Sequence, residues 1–131
     1  MGTLDSLFGV HADALKLHAG RAEILASNLA NADTPGYKAR DIDFAAELNR
    51  IVSGNASAAL AGTEQGHFGA DAPEKQLNLQ YRMPLQGSLD GNTVDKQGEV
   101  ARFSQNALQY QASLNFINDK IRNTMTALKG E

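Results

Sequence analysis

The 131-residue chain contains no cysteine and no tryptophan. Disulfides, thiolate metal sites and thiol nucleophiles are thereby excluded, while the redox compartment stays open. Aromatic residues make up only 6% of the chain, so a single ordinary domain is possible in length but lean in the side chains that fill a core. That composition favours an elongated molecule. The net charge of −3 comes without any cluster of Lys and Arg, and phosphate neutralisation needs such a cluster, so nucleic acid is not an expected partner. No stretch approaches the roughly 20 apolar residues of a membrane span, and direct membrane insertion is not expected. The first residues place Asp5 where a secretory signal would be basic and lack its unbroken apolar core. A protein of this kind working outside the cytoplasm is expected to leave by a route that cleaves no signal.

What the chain does have is one apolar rhythm at both ends. Leu4, Phe8, His11, Leu15, His18, Ala22, Leu25 and Leu29 follow one another at alternating steps of four and three. Val100, Phe103, Ala107, Tyr110, Leu114, Ile117, Ile121 and Leu128 fall on the same lattice, with Thr124 in the remaining slot and Met125 beside it. A mean repeat of 3.5 residues puts each set along one helical seam and favours left-handed winding about a partner helix. The expected fold is mainly α: two long terminal helices paired as an antiparallel-type coiled coil, with a small β-hairpin or extended segment and a flexible central loop.

Five segments follow. Residues 1–31 hold the first helix, roughly 40 Å long if continuous, with Gly20 as its weak point. Asn31, Asp33, Pro35 and Gly36 crowd its end, and Pro-Gly at the centre of a turn suits type II with a positive φ at the glycine. Residues 32–52 continue through this turn into an extended segment, Ala39 to Phe44, and a brief helix in which Phe44, Leu48, Ile51 and Val52 share a face. Residues 53–74, rich in Ala, Gly and Ser, read as flexible loop. Residues 75–94 alternate Leu77, Leu79, Tyr81 and Met83 with polar residues, the pattern of a strand with one buried face, and Asp90-Gly91 marks a tight turn and a possible hairpin. Residues 95–131 form the last helix, with Asp95 as N-cap, Glu99 near the positive end of the macrodipole, and Lys129 and Gly130 at its close.

Away from the seam this last helix carries Gln97, Ser104, Gln105, Asn106, Gln109, Gln111, Ser113, Asn115 and Asn118. A freely solvated coiled coil normally displays charged flanks, whereas amides lose less solvation on burial and both donate and accept. This favours a helix packed on several sides, as in a polymer, while periodicity alone fits a helical hairpin in a soluble monomer equally well. His11 and His18 stand seven apart, about 10 Å along a helix, too far to share an ion; packing is their expected role and neither metal nor cofactor is expected. Asp41 and Asp43 beside Arg40 could be imagined as an acid/base couple in a small hydrolase, but no nucleophile, phosphate loop or nearby His accompanies them. A solvated strand edge or an intersubunit ion pair is the better reading. A non-enzymatic protein is expected.

The run from Ala26 to Phe44, with Asn-Ala-Asp-Thr-Pro-Gly-Tyr over Asn31 to Tyr37, resembles the signature of the bacterial flagellar rod, hook and hook–filament-junction proteins. The short length, the stretch from Asp90 to Asp95 and the stretch from Asn106 to Leu114 are similar to the proximal-rod members of that family, the likeness covering both ends. It implies a structural subunit of the periplasmic rod, the drive shaft that transmits torque and continues the export channel. It further implies passage through the flagellar type III export apparatus, contact with copies of itself, with FlgC-like and FlgF-like rod subunits and with a FliE-like adaptor at the rod base. Within the family an FlgC-like rod protein is the nearest alternative; outside it, a soluble coiled-coil adaptor. The turn is the candidate joint for assembly: Thr34, Pro35 and Gly36 reverse the chain, the Asn28 and Asn31 amides tie loop backbone, and Tyr37 wedges against the helix pair.

Overall fold

The computed structural model describes residues 3–53 and 77–130, with side chains of the first helix from Phe8 onward. In chain order the elements are α1 (Thr3–Ala30), β1 (Arg40–Ile42), α2 (Phe44–Val52), β2 (Leu79–Tyr81) and α3 (Lys96–Lys129). Beyond Ser53, the loop expected over 53–74 lies outside the described residues, as does the side chain of Leu4.

The two long helices pair and run antiparallel. Successive contacts make this plain: His11 meets Phe116, His18 meets Asn106, and Asn28 meets Glu99. α1 is also covered by α2 and β1, so it buries a wider arc than one stripe. That is why Ala14 and Leu17, which lie off the 3.5-residue lattice, are buried together with Leu25, while Leu15 and Leu29 are half-buried.

α2 begins at Asp43, whose Oδ1 accepts the Ala46 N–H at 3.1 Å. Asp43 is therefore an N-cap and not the strand-edge or intersubunit partner expected of it. Phe44 stacks on His18 with ring centroids 4.2 Å apart, which ties α2 to the middle of α1.

β1 and β2 pair antiparallel, Arg40 opposite Tyr81, Asp41 opposite Gln80 and Ile42 opposite Leu79. The partner of β2 thus comes from the segment after the first turn and not from a hairpin closed by Asp90-Gly91. The buried strand face also differs from expectation: Leu79, Tyr81 and Met83 are 41%, 72% and 86% exposed. Arg82, on the opposite face, is the side chain that turns inward. Leu77 packs on Gly20 so closely that a Cβ there would lie 2.9 Å from its Cδ1, so the weak point of α1 is a seat for Leu77.

α3 departs furthest from its reading. Glu99 and Asn106 are buried and Ser113 is half-buried, whereas Val100 (49%), Phe103 (39%) and Tyr110 (38%) are exposed. Over its first half, the face turned to α1 is therefore displaced by one residue from the apolar lattice. Leu114, Ile117 and Thr124 are half-buried further along, while Ile121 and Leu128 lie open. Ala39 and Ile42 complete the buried apolar set, and His18, Asn28, Glu47, Asn92, Glu99 and Asn106 are buried with it. Among the described residues the interior is as much polar as apolar, so pairing of polar groups, more than apolar area, fixes how the elements fit.

Candidate functional site

The end of α1 is where the molecule's polar bonds converge. The Asn31 N–H reaches the Ser27 and Asn28 carbonyls at 3.1 and 3.2 Å, and its side-chain amide donates to Ser27 O at 2.8 Å. Thr34 Oγ1 donates to Asn31 Oδ1 at 3.2 Å. The Tyr37 N–H closes the turn on Thr34 O at 3.3 Å, with Gly36 at φ +74°. Pro35 sets the first central position and only glycine holds the second without steric cost, as a type II turn requires. No atom lies within 4 Å of a Cβ built on Gly36, so backbone conformation, and not space, demands glycine here.

A second segment completes the turn from far along the chain. Asn92 is buried and its Nδ2 donates toward three carbonyls, Asn31 O at 3.0 Å, Ala32 O at 3.0 Å and Thr34 O at 2.8 Å. It gathers backbone carbonyls of the turn that follows α1, which ends at Ala30. The Gly36 N–H donates to Asp90 O at 2.8 Å, the Thr93 N–H to Tyr37 O at 3.0 Å, and the Ala39 N–H to Thr93 Oγ1 at 2.7 Å. Asp90-Gly91 does turn tightly, with Gly91 at φ +75° and its N–H on Ser88 O. The partner of this turn is the Pro35-Gly36 turn, since Gly36 Cα lies 3.7 Å from a Cβ built on Gly91.

Asn28 joins the turn to the helix pair. Its Oδ1 accepts from the Tyr37 hydroxyl at 3.2 Å and from the Arg40 N–H at 3.1 Å. Its Nδ2 donates to Arg40 O at 2.6 Å and to Glu99 Oε1 at 3.1 Å. Glu99 has no exposed surface and is paired with Arg82, which also donates to Asp41 Oδ2 at 2.7 Å. Arg21 grips Asp41 in bidentate fashion at 3.0 and 3.1 Å. Burial pushes the Asp41 carboxyl up, but the hydrogen bonds from Arg21, Arg82 and the Ile42 N–H outweigh it and hold the group below its ordinary value. For Arg82, burial works against the charged form, and the bonds to Glu99 and Asp41 more than restore it.

Asp41 is thus an intramolecular ion-pair partner and Asp43 a helix cap; neither carboxylate is placed as a free acid or base. Among the described residues no group of three or more His, Asp or Glu side chains converges as a metal site. What the arrangement offers is mechanical: α1, the turn, β1 and α3 are tied at one point.

Residues 8–38 match the family model of the flagella basal body rod protein. The chain is 52% identical over 123 residues to the flagellar basal body rod protein FlgB of Cereibacter sphaeroides, covering 94% of each. It is 48% identical over 130 residues to FlgB of Aeromonas hydrophila, covering 98% of this chain and 97% of that one. To FlgB of Escherichia coli K12 it is 47% identical over 131 residues, covering 96% and 95%. The chain belongs to the FlgB family of flagellar rod proteins.

In this FlgB-family chain the structure gathers Asn28, Asn31, Thr34, Pro35, Gly36 and Tyr37 into one joint. It does not gather the two apolar lattices in the same way. Phe8, Leu15, Leu25 and Leu29 are buried or half-buried, as are Leu114 and Ile117, but Val100, Phe103, Tyr110, Ile121 and Leu128 face outward. Sequence reasoning missed Asn92, Glu99, Arg82 and Asn106 as structural residues. One signal was present: Glu99 and Asn106 stand seven apart, each one place before a lattice residue.

Proposed function

We propose that the chain is a structural, non-enzymatic subunit of the proximal rod of the flagellar basal body, polymerising with other rod proteins into the periplasmic drive shaft. In this reading it transmits torque, lines a continuation of the export channel, and arrives through the type III apparatus without loss of a signal peptide. Its neighbours are copies of itself, FlgC-like and FlgF-like subunits, and a FliE-like adaptor at the base.

The observation that carries the reading is the open apolar stripe of α3 set beside a joint whose polar groups are satisfied internally. Val100, Phe103, Tyr110, Ile121, Met125 and Leu128 are each 38–82% exposed. Covering such side chains yields about 25 cal/mol per Å2, and many small contacts acting together are what a torsion-bearing shaft needs. Head-to-tail contacts that do not close generate a helical filament. The joint is expected to set the angle at which the helix pair meets its neighbours.

The test is complementation of a non-motile strain lacking this gene. Gly36→Val and Leu114→Asp are each expected to abolish rod assembly and swimming, and normal motility in either variant would refute the assignment. Image reconstruction of intact basal bodies should place the chain at the rod base with both termini toward the bore. A chain recovered as a soluble, monodisperse partner of another protein's helix would favour the adaptor instead.

A further inference from the structure

The α1–α3 interface holds a contradiction that chain composition alone does not resolve. An apolar lattice is available on α3, yet over its first half the helix turns Glu99 and Asn106 to α1 and leaves Val100, Phe103 and Tyr110 at the surface. Turning α3 about its axis by roughly the spacing of one residue would seal these side chains onto α1 and bury more apolar area. Something specific must hold it back.

Two bonded sets do so. Asn106 Nδ2 donates to His18 O at 2.8 Å, which fixes the orientation of the amide. Its Oδ1 therefore faces the ring, 2.9 Å from His18 Nδ1, where it accepts the ring N–H. The same ring is stacked on Phe44, so Asn106 grips a side chain that is itself immobilised. Seven residues earlier, Glu99 accepts from Asn28 and Arg82, and Arg82 is anchored through Asp41 to Arg21. Rotation of α3 would pull a fully buried carboxylate from its guanidinium and an amide from both of its partners. Buried polar side chains in helix seams are known to select one register over more apolar alternatives.

We propose that Glu99 and Asn106 are orientation keys, which hold α3 rotated so that its apolar stripe stays outward instead of being sealed within its own molecule. The keys keep the isolated chain from satisfying itself. The inference concerns that isolated chain and stands whatever protein covers the stripe, so it fails or survives independently of the rod assignment.

Because the chain has no cysteine, a single reporter thiol can be placed at the exposed Ala107 by Ala107→Cys. Alkylation is followed at a concentration where sedimentation shows a monomer. In the otherwise unaltered chain the thiol is expected to react at nearly the rate of a free peptide. In the H18A/E99A/N106A background, which removes the bonded groups without giving the present seam large apolar side chains, alkylation should slow at least fivefold while circular dichroism shows the helices intact. Unchanged labelling in that folded variant would overturn the proposal. Should the triple variant not fold, H18A/N106A, which keeps the Glu99 ion pair, serves the same purpose. There a slowing of about twofold supports the keys, and a wild-type rate with helix retained overturns them.

Discussion

The joint around Asn28 and the open stripe of α3 are made of opposite kinds of residues and treat them in opposite ways. At the joint, an amide with no exposed surface makes four hydrogen bonds to three different elements, and a buried carboxylate is matched by an arginine that is itself matched. Along α3, phenyl, tyrosyl and branched aliphatic groups stand open to solvent. One region is finished within the chain. The other is left open along the surface of the chain. A subunit built this way can be rigid where it sets geometry and adhesive where it meets neighbours.

Substitutions in the two regions should therefore separate stability from assembly. The largest expected effect is Glu99→Ala, which strips Arg82 of its fully buried partner; urea unfolding should show a loss of about 3 kcal/mol. Asn28→Ala leaves the Arg40 amide and carbonyl without their side-chain partner and should cost about 2 kcal/mol in the same measurement. Gly36→Val imposes a branched side chain at φ +74° and should cost about 1.5 kcal/mol, with a much larger consequence for assembly than for folding.

Acid offers a gentler probe. Asp41 has its folded-state pKa below the unfolded value. Its contribution is therefore complete above about pH 4 and is lost as pH falls through the lowered folded value. The stability gap between the natural chain and Asp41→Asn should be widest near neutrality and should close below pH 4; a gap independent of pH would break the ion-pair account. The smallest effect belongs to the open stripe. Ile121→Ser, at a position 45% exposed, should change stability by less than about 0.5 kcal/mol and yet impair rod assembly in cells. A large loss of stability there would erase the contrast between the regions.

Local signals carried much of this architecture. The Asn31 to Gly36 cluster marked the end of α1 because Pro and Gly act through the backbone of their own turn. α2 was legible from four apolar residues on one face, and the close of α3 from Gly130, which stands at φ +72°. The polar network was not legible in the same manner. Arg21, Asp41, Arg82 and Glu99 are drawn together across separations of 20, 41 and 17 residues, and nothing in local spacing announces such a meeting. Alternation along Leu77 to Met83 correctly suggested a strand but could not say which face would be covered. The answer depended on a buried carboxylate contributed by α3. Asn106 was grouped with outward amides because periodicity assigns a face by hydrophobicity, and this seam is held by the minority that breaks the rule.

The side chain of Asn92 has one more implication. It donates to carbonyls of residues 61, 60 and 58 positions earlier, so the clasp on the turn that follows the first helix is encoded near the start of the last. In any process that delivers the polypeptide amino end first, the turn after α1 must wait for this clasp until two-thirds of the chain has followed. Completion of the molecule and fastening of that turn are then a single event, and a partially delivered subunit has no clasped hinge to present.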